Sequence, residues 1–384
     1  MAIRILFDHQ IFAQKYGGIS RYYYELIKQL DKDNNFSWEL GLKCSDNAYL
    51  LNSSLFRPNK VLSFNDFCFG FNFKGKSRLY NALEGIGLIN SLNANPKTSI
   101  KMLQGGKYDV FHPTYYDPYF YKYLNNKPFV LTIYDMIYEL YPAQFPAEDP
   151  TVMHKRLLAE KADAIIAISE NTRQDIIKLY GIDSKKIKVI YLGNSLVGSE
   201  SDSDVKLPGK YILYIGNRAL YKNFKLFVKA IAPLFRQDNN LYLVCGGGNI
   251  FSPEEINLFK DLSCENRIIH QQVKEDRTLA SLYKNALAFV FPSLYEGFGI
   301  PVLESFSCGC PVILSNSSSF PEVALDAAEY FNPEDELSIT EAVKKVIYCE
   351  DRRNELRSKG FERLKYFSWE KTAAETKKVY ESLI

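Results

Sequence analysis

Short apolar runs alternate with longer amphipathic segments along this chain, and that alternation limits its fold more than any other feature. A strand buried on both faces of a parallel sheet reads as a continuous apolar run, and the helix that returns the chain carries apolar residues on one face only. In the first half the expected strands are 3–8 (IRILFD), 37–42, 109–113, 129–135 and 164–169, with helices over 18–30, 151–161 and 170–180. Ser169 is placed to cap the last of these. The stretch NSLVGSESDSDVKLPG at 194–209 is small, polar and acidic, and it reads as a linker. A second alternation then begins, with strands expected at 211–216, 241–246, 267–270, 288–293 and 311–315. Helices at 223–236, 253–262, 275–285, 301–308 and 338–348 separate and follow them. The expected fold class is therefore α/β. Two Rossmann-like, doubly wound domains, 1–193 and 210–365, face each other across a cleft, and ligands of such sheets bind at the carboxyl ends of the strands.

Composition matters mainly for what it excludes. A net charge of +2 gives no broad basic field for a nucleic acid. Four scattered histidines, and seven cysteines without a Cys-x-x-Cys pair, offer no metal framework. The opening apolar run stops at Asp8, His9 and Gln10, which is too short for a signal peptide, so a cytoplasmic location is expected.

Three strand ends carry chemistry. In KYGGISRYYYEL, Gly17 and Gly18 precede a helix start, where bare amides can face an anion; an ordinary glycine turn is the other reading. In YIGNRALYKNF, Arg218 and Lys222 stand where a strand turns into a helix, suited to grip a diphosphate; two solvated surface cations are the alternative. In SLYEGFGIPVLE, Gly297 and Gly299 expose amides at a helix start, with Pro301 in its first turn. Glu296 lies before that turn and Glu304 one helical turn inside. Each carboxylate can accept from two neighbouring hydroxyls, so the spacing fits one phosphate between two polyols, as in a nucleotide sugar.

Together, EGFGIPVLE, GNRALYKN upstream and GCPVILSNSSSFPEV downstream resemble the retaining nucleotide-sugar glycosyltransferases of GT-B fold, glycosyltransferase family four or group 1. The likeness extends from YGGISRY to the closing FSWEKTAAETKKVYESL, the kind of segment (366–384) that in these enzymes returns to the first domain as a helix. It implies that Arg218 and Lys222 hold and stabilise the departing diphosphate in place of a metal or other cofactor. It implies that Glu296 and the amides of Gly297, Phe298, Gly299 and Ile300 hold the donor sugar and phosphate, and that Glu304 takes the ribose hydroxyls. Gly17 and Gly18 would close on the donor, and Gly246, Gly247 and Val273 would line the base pocket; strand-end packing is the other reading of these last three. The family commonly carries a histidine at the end of the strand that here reads LTIYDM, where this chain has Tyr134 and then Asp135. His112 and Asp135 are the alternative contacts to the donor sugar or acceptor.

The implied reaction is retaining, metal-independent transfer of a hexose from a nucleotide sugar to a saccharide or lipid-linked acceptor. Overall likeness leans toward mannose from GDP-mannose in surface-polysaccharide (lipopolysaccharide) assembly. A nucleotide-sugar epimerase on the same scaffold and a non-catalytic nucleotide-sugar-binding protein are the rivals. A nicotinamide-dependent oxidoreductase lacks its G-x-G-x-x-G fingerprint. The aromatic and basic run at 61–80 reads as core strand or hairpin, or else as a lip touching the inner face of a membrane.

Overall fold

The computed structural model describes residues 2–85, 88–196, 205–218, 220–273 and 275–384. Two parallel sheets form, as the repeated alternation requires. In the first, β1 (Ile3–Phe7) lies between β2 (Phe36–Leu40) and β3 (Val110–His112). A further run places β4 (Val130–Ile133), β5 (Ala164–Ala167) and β6 (Ile187–Val189) in order. A single parallel bridge, Phe111 to Phe129, joins the two runs. The second sheet contains β7 (Tyr211–Ile215), β8 (Tyr242–Gly246), β9 (Ile268–Gln271), β10 (Ala288–Phe291), β11 (Val312–Ser315) and β12 (Ala328–Phe331). Its order is β12-β11-β10-β7-β8-β9, the doubly wound order in which the chain leaves β7 toward one edge and restarts at β10 toward the other. The crevice between the ends of β7 and β10 is the switch point, and the arginine–lysine and glycine–glutamate motifs follow those two strands.

Two strands escape the sequence pattern. β6 is only three residues long, and β12 interrupts its apolar run with Glu329. Of the expected linker 194–209, residues 197–204 lie outside the described residues. The run 61–80 is neither core strand nor hairpin. Its short 3-10 turn Phe67–Gly70 has Cys68 and Phe69 in the left-handed region, and a helix, Lys76–Gly85, follows. Only Phe67 of its phenylalanines is buried, while Phe69 is 97% and Phe71 74% exposed.

The closing helix Trp369–Glu381 packs on the opening helix Gly18–Leu30. Trp369 donates from its indole to Ser195, Thr372 donates to the Tyr191 carbonyl, and the Tyr380 hydroxyl meets His112 at 2.7 Å. One apolar cluster runs without interruption from β1 through Trp369 to Phe298 and Phe320, so the domains share a core along the cleft side. The opposite face of the second sheet has a core of its own.

Candidate active site

At the switch point Lys222 and Glu296 meet, Nζ to Oε1 at 2.6 Å, with little of either side chain exposed. Ser293, two residues past the end of β10, donates to the same Oε1 at 2.6 Å, and Ser318 accepts from the Glu296 amide at 3.0 Å. Burial opposes the charge on Lys222, yet Glu296, Tyr221 and Asp135 together raise its pKa, so it is a held cation. The turn after Glu296 is built for close approach. A Cβ on Gly297 would stand 1.7 Å from the Tyr134 carbonyl oxygen of the first domain and 3.1 Å from the Asp135 Cβ. Gly299, at φ +98°, makes the left-handed cap from which the helix Ile300–Ser307 starts, with Pro301 in its first turn.

One turn into that helix, Glu304 is buried. Tyr283 donates to its Oε2 and Arg21 to its Oε1, each at 3.2 Å. Burial raises its pKa, against the opposing pull of Arg21 and the Tyr283 hydroxyl. Arg21 belongs to the opening helix, which starts at Gly18 with Gly17 as its cap. Gly17 is extended, and a Cβ on Gly18 would only touch Ile300 at 3.8 Å. The two glycines thus bring a helix start against the Gly297–Ile300 turn without strain.

Arg218 goes elsewhere. Its Nε and Nη2 clasp Glu255 at 2.6 and 3.2 Å, and Nη2 also donates to the carbonyls of Asn249 and Ile250. Nη1 is buried without a hydrogen-bond partner among the described residues. The two cations of GNRALYKN are therefore held by different carboxylates, and one nitrogen is left for a further acceptor. Gly246 is walled by Ile215, Leu282 and Val273, and Gly247 takes a left-handed turn beside it at φ +70°. Phe298 points away from the switch point, against Tyr191 and Phe367, so only its backbone faces the loop.

The first domain contributes differently from expectation. His112 is fully buried, with Nδ1 on Tyr380 and Nε2 on Thr132 at 2.9 Å, and burial drives its pKa down to about 3. Both ring nitrogens are committed inside the core, so it does not reach the cleft. The Tyr134 ring packs among Tyr22, Tyr23 and Tyr116, and it is the Tyr134 carbonyl that meets Gly297. Asp135 does lie at the cleft, its Oδ1 capping Ile137 and its charge felt by Lys222.

Several site residues were not read from the sequence. Ser293 and Ser318 orient Glu296, and Arg21, three positions after Gly18, completes Glu304. Glu322 accepts from the amides of Glu170 and Asn171 at 2.8 Å each and from the Tyr191 hydroxyl, pinning the domains together. Each lies inside a motif already singled out: Arg21 in YGGISRY, Ser293 in SLYEGFGIPVLE, and Ser318 and Glu322 in GCPVILSNSSSFPEV; the motif marks the place, but nothing local marks which of its residues makes the contact.

Comparison with known proteins agrees with this geometry. Residues 74–195 match the model of Glycosyltransferase Family 4, and residues 200–363 that of Glycosyl transferases group 1. O-antigen chain mannosyltransferase B of Escherichia coli is 29% identical over 70% of this chain and 74% of its own length. O-antigen chain mannosyltransferase RfbU of Salmonella typhimurium is 30% identical over 56% of this chain, and the match spans 60% of that relative. Sucrose-phosphate synthase from Thermosynechococcus elongatus superposes with a TM-score of 0.75 at 18% identity, covering 100% of this chain and 99% of that one. Anabaena HepE in complex with UDP and glucose superposes with a TM-score of 0.73 at 15% identity, covering 99% and 100%. With both family regions present, in order, on a fold shared with solved glycosyltransferases, this chain belongs to the group 1 (family 4) glycosyltransferases of GT-B fold.

Proposed function

We propose that this glycosyltransferase moves a hexose, mannose from GDP-mannose by preference, to a hydroxyl of a saccharide or lipid-linked saccharide with retention of configuration and without a metal. The observation that carries the reading is the Lys222–Glu296 pair at the switch point, directly before a helix N-terminus bared by glycine. In this reading the helix start and the Gly297–Ile300 amides take the distal phosphate, and Glu296 takes hydroxyls of the donor sugar. Glu304 takes the ribose diol, and Asp135 faces the sugar from the other domain. The bond from the anomeric carbon to the phosphate oxygen breaks as the acceptor oxygen bonds on the same face, and the acceptor proton passes to the departing phosphate. Charge then grows on the diphosphate, where Lys222 and the free Nη1 of Arg218 stabilise it. The relatives named as mannosyltransferases support the choice of sugar.

The test is turnover across a panel of nucleotide sugars, read by mass spectrometry, with the product anomer read by NMR. GDP-mannose should be consumed only when acceptor is present, at an unchanged rate in EDTA, giving an α-linked product. Lys222→Ala and Glu296→Ala should each cost about 10²–10³ in kcat; both should also unfold at a lower temperature, because each leaves a buried charge without its partner, while far-ultraviolet circular dichroism at the assay temperature stays as in wild type. Isomerisation of the donor in the absence of acceptor would instead identify an epimerase.

We also infer that the acceptor is presented at a membrane. Residues 57–107 carry eight Lys and Arg against two Asp and Glu, in a chain with a net charge of only +2. Phe64, Phe69, Phe71 and Phe73 stand exposed on the same stretch. Exposed rings beside excess positive charge complement an anionic bilayer. The protein should co-sediment with phosphatidylglycerol vesicles at low salt, and a Phe69→Ser/Phe71→Ser variant should not. Equal binding by that variant sinks this part of the reading.

A further inference from the structure

The site that would take the donor's ribose is not built by one domain alone. Glu304 stands on the second domain, yet the cation beside it is Arg21 of the first, with only a tenth of its side chain exposed. The guanidinium is gripped from a second side by Asp276, Nη2 to its two carboxylate oxygens at 3.1 and 2.9 Å, and lies 5.3 Å from the centre of the Tyr49 ring. A carboxylate has about four acceptor positions, two on each oxygen. In Glu304 one position on Oε1 is filled by Arg21 and one on Oε2 by Tyr283, which leaves one on each oxygen among the described residues. That is the pattern a vicinal diol needs.

We propose that Arg21 is a positioning residue of the donor site, holding the Glu304 carboxylate in the orientation that accepts both ribose hydroxyls, so that ribose is recognised only when the two domains are closed. The proposal rests on the reading of Glu304 as the ribose contact given above. Two physical effects serve it. Arg21 and Tyr283 fix the plane of the carboxylate from opposite ends. Arg21 also supplies positive charge that opposes the upward push of burial on the Glu304 pKa. The groups facing Glu304 are Arg21, Tyr49, Asp276, Tyr283 and, at the end of its own helix, Cys308. Among them only Arg21 is a cation; burial and Asp276 push the Glu304 pKa upward, and Arg21 pulls it back.

The sign follows. A diol needs the ionised carboxylate, so nucleotide affinity falls as pH drops through the Glu304 pKa in the free protein. Removing Arg21 raises that pKa and moves the fall to higher pH. Neutralising Asp276 lowers it and moves the fall to lower pH.

The experiment is calorimetric binding of GDP and UDP, and of their 2′,3′-dideoxy counterparts, to the full chain from pH 5 to 9. Wild type should prefer the ribose forms. Arg21→Met should lose about tenfold in ribonucleotide affinity near neutral pH, shift its pH midpoint up by about one unit and bind the dideoxy forms as wild type does. Arg21→Lys, which keeps the charge, should restore most of the midpoint. Asp276→Asn, at a largely exposed carboxylate, should fold normally and shift the midpoint down, which keeps the proposal testable if Arg21→Met fails to fold. If wild type binds ribose and dideoxy forms equally, the ribose role of Glu304 is wrong, and the proposal falls with it. If wild type discriminates but neither variant moves the midpoint, Arg21 is structural only and the proposal alone is overturned.

Discussion

At the scale of single residues, the site is governed by what each side chain can reach. Lys222 and Glu296 could be named from their spacing after two strand ends, because a doubly wound sheet brings those ends together. Arg218 could be named too, but its clasp by Glu255 could not, since 37 residues separate the two. His112 shows the converse. A histidine at a strand end beside a cleft looks available, yet the closing helix brings Tyr380 onto its Nδ1 and fills the space. Gly297 gives the sharpest residue-scale prediction. Its missing Cβ is what lets the Tyr134 carbonyl approach, and no flexible side chain can yield there, because the obstructing atom is backbone. Gly297→Ala should therefore separate the domains and abolish transfer, while far-ultraviolet circular dichroism stays as in wild type. Normal activity in that variant would show that the contact is dispensable.

At the scale of elements, the strands and helices with a strong apolar period were legible. The helices Lys76–Gly85, Asn95–Gly105 and Glu350–Leu364 were not, because each buries only a few residues and shows little apolar periodicity, and neither were the short strands β6 and β12. β6 gains its place from pairing with β5, and β12 from pairing with β11, neither of which shows in local pattern. Helix ends carry much of the interdomain design. The helix Glu170–Tyr180 starts with Ser169 accepting from Thr172, as the sequence suggests, but its first amides are taken by Glu322 from the other domain. A carboxylate at a helix start is favoured by the free amides and by the dipole together. Glu322→Ala should cost about 1–2 kcal/mol in unfolding free energy. Glu322→Gln, which keeps one acceptor, should lose less. Urea denaturation of the two variants measures both, and equal stability to wild type would mean that water replaces the cap at no cost.

At the scale of the whole molecule, the closing helix joins the chain's end to its beginning. Trp369, Thr372 and Tyr380 all bind the first domain, although sequence order places them after the second. Ending the chain at residue 365 would uncover the pocket of Trp369 and leave His112 without its hydroxyl partner. Losing a buried tryptophan alone costs about 3–5 kcal/mol, a large part of a typical domain's stability. The truncated chain should be insoluble or unfold well below wild type, as soluble yield and thermal unfolding will show. A soluble, fully active truncation would mean that the helix is an accessory. Periodicity was enough to establish the α/β fold class with its two Rossmann-like halves, and glycine and charge at strand ends marked Lys222 and Glu296 as followers of the two switch-point strands, because those properties are local and a parallel sheet repeats them in register. Which domain completes Glu304, which carboxylate holds Arg218 and where His112 ends up were decided only by packing. Those contacts join residues from 37 to nearly 300 positions apart, and their energy depends on burial and distance rather than on neighbours in the chain.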